Sequence, residues 1–229
     1  MKKPKEPAVI ASSLCKEFQL GNVTIKALKD VSLNVTESEF VSICGPSGAG
    51  KTTLLNIIGG LDQPTSGTIK VFGHNLSERD EDFLATFRCS YVGFVFQSYN
   101  LISTLTSLEN VAFAMEIAGW PAEKAVKKAR KLLETVGLSH RADHFPAQLS
   151  GGEQQRIAFI RALANDPPLI LVDEPTANLD LKTGLEVVGI LEKLKEERKT
   201  VIVATHDESI VKLSDRTLHM FDGRIEADE

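Results

Sequence analysis

Long apolar runs are missing from this 229-residue sequence, and cysteine and tryptophan are rare. No stretch approaches the roughly 20 consecutive apolar residues that a membrane-spanning helix needs, so any role at a membrane would come through a partner. Residues 1–7 are polar and charged, which predicts that the chain carries no secretion signal. Together these absences predict a cytoplasmic chain.

The few cysteines exclude two further classes of protein. Cys15, Cys44 and Cys89 show neither the paired spacing of a zinc site nor that of a disulfide framework. Three separate thiols in a chain of this length are typical of a reducing compartment.

Excess positive charge is absent as well. The sequence has 26 Lys and Arg residues against 31 Asp and Glu residues, which gives a formal net charge of −5. Proteins that coat nucleic acid bind it through phosphate neutralisation, so we expect no nucleic-acid partner. The chain is long enough for one large domain with a well-buried core, and it contains no internal repeat.

Four short apolar runs are present, and each ends in a polar residue. They are residues 40–44, 94–96, 169–172 and 201–204. Runs that are continuous rather than alternating are typical of parallel strands covered by helices on both faces. Ligands of such sheets bind beyond the carboxyl ends of the strands, so we expect the polar residues that follow to converge on one crevice.

Other segments have different periods. Apolar residues of the 121–137 segment recur at helical spacing, with Pro121 near the start and Gly137 after the end. We interpret residues 98–165 as a helical insertion in an α/β core formed by 8–97 and 166–229. Residues 9–34 and 68–72 are predicted to form a small antiparallel sheet beside that core.

The first run leads into a glycine-rich segment, residues 45–52, which we call the glycine loop. Its backbone N–H groups and the dipole of the following helix suit the β- and γ-phosphates of a nucleotide. Lys51 adds a positive charge, and the Thr52 hydroxyl is a ligand for Mg²⁺. The predicted phosphate-binding residues are Gly45, Pro46, Ser47, Gly48, Ala49, Gly50, Lys51, Thr52 and Thr53.

Asp173 and Glu174 end the third apolar run. We expect Asp173 to hold Mg²⁺ through water and Glu174 to polarise the attacking water as a general base. The alternative is an acidic strand end that faces solvent, and the glycine loop favours the functional interpretation.

A second motif spans Leu149-Ser150-Gly151-Gly152-Glu153-Gln154-Gln155-Arg156, and we call it the signature motif. Ser150 and Glu153 have the spacing of a capping box that opens a helix. A helix that opens with glycines is also an anion site. The structural role and the binding role are compatible.

The glycine loop followed by the signature motif resembles the ATP-binding-cassette (ABC) ATPases, and the resemblance covers about residues 9–226. It implies a head-to-tail dimer in which Ser150, Gly151, Gly152 and Glu153 dock on the γ-phosphate held by a second copy. It also implies a general α/β fold: a P-loop NTPase core with a mainly parallel sheet, an antiparallel flank and a helical insertion.

The same resemblance gives roles to four further positions. Gln97 would sense Mg²⁺ and the attacking water, and His206 would contact the γ-phosphate. The 178–180 segment, with Asp180, matches the loop through which the two copies communicate. Phe18 would stack on adenine, and a buried core phenylalanine is the rival interpretation.

Residues 27–31, 93–102 and 105–111 are similar to the lipoprotein-releasing and macrolide-exporting branch of that family. This similarity implies an ATPase, using ATP and Mg²⁺, on the cytoplasmic face of a membrane beside a separate permease that contacts residues 97–115. An importer ATPase would share every catalytic residue. A non-transport ABC protein would usually carry a second cassette, a coiled coil or metal-binding cysteines.

Overall fold

Strands and helices alternate along most of the chain, and the computed structural model describes residues 7–177 and 179–229. The strands in this part are β1 (Pro7–Leu20), β2 (Val23–Thr36), β3 (Phe40–Cys44), β4 (Ser66–Val71), β5 (His74–Asn75), β6 (Val92–Val95), β7 (Leu169–Asp173), β8 (Thr200–Ala204), β9 (Arg216–Phe221) and β10 (Arg224–Asp228). The helices are α1 (Lys51–Ile58), α2 (Glu81–Tyr91), α3 (Ser107–Ile117), α4 (Ala122–Thr135), α5 (Gly151–Ala162), α6 (Leu181–Glu196) and α7 (Glu208–Leu213).

These elements form two units. The first holds the residues up to Ala85 together with Leu191–Glu229, and the second holds Thr86–Ile190. Helices α2 and α6 cross from one unit to the other in sequence. The limits proposed for the helical insertion, residues 98–165, remain a prediction.

The first unit contains the predicted antiparallel sheet, in the order β2-β1-β4-β5. Along β2 the side chains of Val31, Leu33 and Val35 are buried and alternate with exposed ones. This period of two is expected of a sheet that covers a core with one face only. The prediction for residues 9–34 and 68–72 is therefore confirmed.

The first unit also contains parallel strands. β3 lies between β8 and β9, and Ile43 is level with Ala204 on one side and Leu218 on the other. β3 and β8 are almost entirely buried, as their continuous apolar runs predict. Because these strands are parallel and adjacent, the segments that follow them leave the sheet at the same edge.

In the second unit β6 and β7 are parallel, with Val95 level with Val172. Helices α3, α4 and α5 pack around a separate apolar core. It comprises Leu108, Val111, Ala112, Met115, Ala125, Ala129, Leu133, Leu138, Ala142, Leu149, Ile157, Ile160 and Ala164.

The helix predicted at 121–137 is α4, with Pro121 at its N-cap. Ala125, Ala129 and Leu133 face the core at helical spacing. Within the described residues, no helix is both long and apolar enough to cross a membrane. The α/β class and the mainly parallel arrangement of the central strands are confirmed.

Candidate functional site

The glycine loop connects β3 to α1, and its glycines are required by close packing. A Cβ on Gly45 would collide with the backbone carbonyl of Met220, and one on Gly50 would lie 2.5 Å from the carbonyl oxygen of Ala27. Gly50 also has a φ of 101°, which larger residues rarely adopt. Larger residues at these two positions would therefore push the loop away from the backbone of Ala27 and Met220.

The start of α1 is suited to an anion. Gly50 provides no side-chain cap, and the first turn contains no acidic residue. The Lys51 ammonium donates to the carbonyl oxygens of Gly45 at 2.8 Å and Pro46 at 3.3 Å, so it lies against the loop. The first N–H groups of the helix, its dipole and this ammonium all favour a phosphate.

The other predicted residues of the loop surround this helix start. Pro46, Ser47, Gly48 and Thr52 are exposed, and Thr53 is half-buried. Ala49 is buried, and its carbonyl accepts a hydrogen bond from the backbone of Gly223. The exposed residues of the loop, and not Ala49, are thus accessible to a ligand.

His206 is exposed and follows β8 in the same unit. The preceding residue, Thr205, donates its backbone N–H to the carbonyl of Ile43 at 3.1 Å. Because Ile43 belongs to the strand that leads into the glycine loop, His206 and the loop begin at the same sheet edge. The structure thus brings two sequence-predicted regions together.

Phe18 lies on β1 and is 42% exposed, so it is not a core residue. The ammonium of Lys16 lies 5.0 Å from the centre of its ring. The rival interpretation of Phe18 as a buried core phenylalanine is therefore wrong. An exposed ring remains available for stacking on a flat ligand.

The acidic pair lies in the second unit, at the end of β7. Asp173 is buried and Glu174 is half-buried. Glu174 has a φ of 45°, which is unusual for a residue that is not glycine. Its neighbour Pro175 accepts a hydrogen bond at 3.0 Å from the buried amide of Gln155, which joins this turn to α5.

Gln97 is exposed and lies shortly after the end of β6, the strand that pairs with β7. Val95 is level with Val172 in that pair. The segment with Gln97 and the acidic pair therefore leave neighbouring parallel strands at the same edge, as predicted.

The signature motif opens α5 with a complete capping box. The Ser150 hydroxyl accepts from the Glu153 backbone N–H at 3.3 Å, and the Glu153 carboxylate accepts from the Ser150 N–H at 2.8 Å. Arg141 donates to the same carboxylate at 2.8 Å. Burial alone would raise the pKa of Glu153, but the hydrogen bonds from Ser150 and Arg141 outweigh it and lower the pKa.

The two signature glycines are required by side chains from elsewhere. A Cβ on Gly151 would lie 2.9 Å from the hydroxyl oxygen of Tyr99, and one on Gly152 would collide with the methyl group of Thr183. Thr183 is held by Asp180, which accepts from its hydroxyl at 2.7 Å. Hydrogen bonds from Thr183 also lower the pKa of Asp180. Asn178, in the same loop, lies outside the described residues.

Four residues near these motifs had no individual role assigned from the sequence: Tyr99, Arg141, Gln155 and Thr183. Gln155 lies within the signature motif, so its position was a usable signal. The others act across long sequence separations, and no local pattern predicts their partners.

The described residues contain no group of three or more His, Cys, Asp and Glu side chains able to hold a metal. Mg²⁺ usually keeps several waters and binds to one or two protein groups plus the phosphates of a nucleotide. Thr52 and Asp173 each carry an oxygen donor of the kind that binds an ion arriving with a nucleotide.

Comparisons with known proteins agree with these features. The ABC transporter family model matches residues 28–177. An uncharacterised ABC transporter ATP-binding protein of Thermotoga maritima is 50% identical over 93% of this chain and 92% of its own length. A macrolide export ATP-binding/permease protein MacB of Bradyrhizobium diazoefficiens is 43% identical over 98% of this chain, which spans 34% of that longer protein.

A solved structure is similar as well. The ATP-binding cassette MJ0796, in a dimeric post-hydrolysis state bound to ADP and Pi, matches with a TM-score of 0.91 and 45% identity. The match covers 96% of this chain and 97% of that one. The MJ0796 sequence is from Methanocaldococcus jannaschii.

Proposed function

The chain belongs to the ABC transporter family, and on that premise we propose that two copies close head to tail on ATP and drive a membrane permease. The chain is an ATP-binding subunit with ATPase activity, and it uses ATP with Mg²⁺ as this family does. The dimeric state of MJ0796 bound to ADP and Pi supports the paired arrangement.

The observation that carries the proposal is the start of α1. Its capping residue is Gly50, which provides no side-chain cap, its first turn has no acid, and the Lys51 ammonium lies against the loop. In this proposal these groups bind the β- and γ-phosphates of ATP, and the Phe18 ring stacks on the adenine. Mg²⁺, when bound, neutralises the phosphate charge, and Thr52, Gln97 and Asp173 are its proposed ligands, directly or through water.

The second half of each site comes from the other copy. Ser150, Gly151, Gly152 and Glu153 form a helix start that would meet the γ-phosphate held by the partner copy. Asp180 accepts a hydrogen bond from Thr183, which packs beside Gly152, and it would lie in the loop through which the two copies communicate. Developing negative charge on the phosphate is stabilised by such preorganised donors.

Two side chains are proposed to act on the reaction itself. Glu174 orients the attacking water and accepts its proton. Two observations support this role: the residue follows a buried strand, and its backbone is held in an uncommon conformation. His206, exposed beside the glycine loop, holds the γ-phosphate in the closed site. Gln97 joins the nucleotide to the segment that contacts the permease, residues 97–115.

The similarity to MacB favours the exporting branch over an importer. The MacB proteins join an ATP-binding part to a permease, and this chain matches about a third of their length. We propose that a separate permease receives the motion and that the chain works on the cytoplasmic face of the membrane. A permease with a large extracytoplasmic domain that co-purifies with the chain would support export, and a pore-type permease with a solute-binding protein would support import.

Glu174→Gln tests the reaction. We expect the variant to bind ATP and form a dimer on size exclusion while its turnover falls by about 10²–10⁴, the usual contribution of a general base. Glu134→Gln, an acid-to-amide change at an exposed position of α4, is the matched control and should leave turnover unchanged. Normal turnover in the Glu174 variant would remove Glu174 as the base.

A further inference from the structure

The short segment 141–144, which we call the clasp, holds the starts of two helices in the second unit. The carbonyl oxygen of Ala142 accepts from the backbone N–H of Leu108 at 2.9 Å. The carbonyl of His144 accepts from the N–H of Ser107 at 2.8 Å and from its hydroxyl at 3.1 Å. These bonds satisfy N–H groups at the start of α3.

The same clasp reaches the start of α5 through one side chain. The Nε of Arg141 donates to Oε1 of Glu153 at 2.8 Å, and Nη1 lies 3.1 Å from Nε2 of His144. A guanidinium only donates, so Nε2 of His144 is the acceptor. The Glu153 side chain is only 14% exposed, which strengthens its bond with the guanidinium.

Helix capping alone does not require this arginine. The start of α3 has the same capping box, in which the carboxylate of Glu109 accepts from the N–H and the hydroxyl of Thr106, both at 2.8 Å. The contacts described for Glu109 include no arginine. The two boxes satisfy the same backbone groups, and among the contacts described only the α5 box has its carboxylate bonded to a side chain from outside the box.

We propose that Arg141 is a positioning residue for the signature helix: it fixes the Glu153 carboxylate, and through it Ser150, in the direction that meets the nucleotide of the second copy. Glu153 bonds Ser150 with one oxygen and Arg141 with the other, so the guanidinium restricts rotation of the carboxylate. The inference rests on the proposed function, because it needs the signature helix to act on the nucleotide of a partner. The clasp also ties this helix to α3, most of which lies within the segment proposed to contact the permease, residues 97–115.

The test uses the full chain carrying Glu174→Gln, so that ATP is bound and not consumed. We expect Arg141→Ala to weaken ATP-dependent dimerisation about tenfold, as loss of one charge-assisted hydrogen bond would do. ATP affinity of the dilute monomer should stay within about twofold of the parent, because Arg141 lies far along the chain from the glycine loop and contacts none of its residues in the described part. Arg130→Ala, at an exposed arginine of α4, is the matched control and should dimerise normally.

Two further variants separate positioning from a general loss of structure. Arg141→Lys keeps the charge without the planar fork and should recover part of the dimerisation, even if the alanine variant folds poorly. In a double-mutant cycle with Glu153→Gln, the effects of the two changes should not add, because both remove the charge assistance of the same contact.

Three results would contradict the proposal. They are unchanged dimerisation of the Arg141→Ala variant, an equal loss of monomer ATP affinity, and simple additivity with Glu153→Gln. Each of these would leave the proposed function standing if the parent dimerises with ATP. Failure of the parent to dimerise would overturn the proposed function and the role of Arg141 together.

Discussion

The starts of α1 and α5 are both glycine-rich, but they are built in opposite ways. At α1 the capping residue is Gly50, no side chain caps the helix, and a lysine is the first helical residue. At α5 Ser150 and Glu153 cap the helix reciprocally, and Glu153 places a carboxylate in the first turn. The first helix start has no side-chain cap and carries positive charge, whereas the second has already bonded one donor and carries negative charge.

The difference indicates a division of labour between the two helix starts. An uncapped, cationic helix start binds phosphate in a single chain. A capped start that carries its own carboxylate is a weaker anion site, because that carboxylate competes for the same dipole. We therefore expect ATP to bind to the glycine loop first and the signature helix to add its contacts only when two copies close.

The largest effect is expected for a change at the start of α1. Lys51→Ala removes the ammonium from the phosphate site and should lower the ATP affinity of the monomer about a hundredfold, as loss of a strong charged contact would. Titration of dilute protein with a fluorescent ATP analogue measures this. Lys182→Ala, at an exposed lysine in the first turn of α6, is the control. Normal ATP binding by the Lys51 variant would exclude the glycine loop as the phosphate site.

A smaller effect, on dimerisation, is expected for a change at the start of α5. Ser150→Arg removes the cap and places a bulky cation at the helix start, so we expect dimerisation with ATP to weaken by about thirtyfold while monomer binding stays nearly intact. Thr106→Arg makes the same change at the matching box of α3 and should cost similar stability without loss of dimerisation. A collapse of ATP affinity in the Ser150 monomer would show that this residue acts within its own chain.

The smallest effect is a loss of stability that tests why α5 begins with glycines. Gly152→Ala should lower the free energy of unfolding by about 1–2 kcal/mol, because its methyl group meets that of Thr183. Thr183→Ser removes the colliding methyl and keeps the hydroxyl that Asp180 accepts, so the double variant should recover most of the stability. Thermal unfolding measures both, and no recovery would mean that another contact requires the glycine.

Local patterns were enough to predict most of the fold. The four apolar runs are strands, α4 has the predicted face, and the antiparallel sheet lies where alternation indicated it. Each of these rests on burial at a regular period, which a single segment records by itself. The motifs likewise locate the glycine loop and the signature helix.

Contacts between distant segments could not be predicted. Nothing near Gly152 in the sequence indicates that Thr183 packs on it, and nothing near Glu153 indicates Arg141. The hydrogen bonds of Lys51 to Gly45 and Pro46 depend on how the loop curls, which its composition permits but does not specify. Such details arise from tertiary packing, and they decide how each motif is held.

The left-handed backbone of Glu174 matters for how the protein would respond to selection for heat resistance. A residue other than glycine in this conformation costs about 1–3 kcal/mol, and Glu174→Gly would remove much of that cost. A screen that rewards survival at high temperature and ignores turnover would therefore favour the loss of this carboxylate. Under the proposed role of Glu174 as the general base, such a screen would exchange turnover for stability.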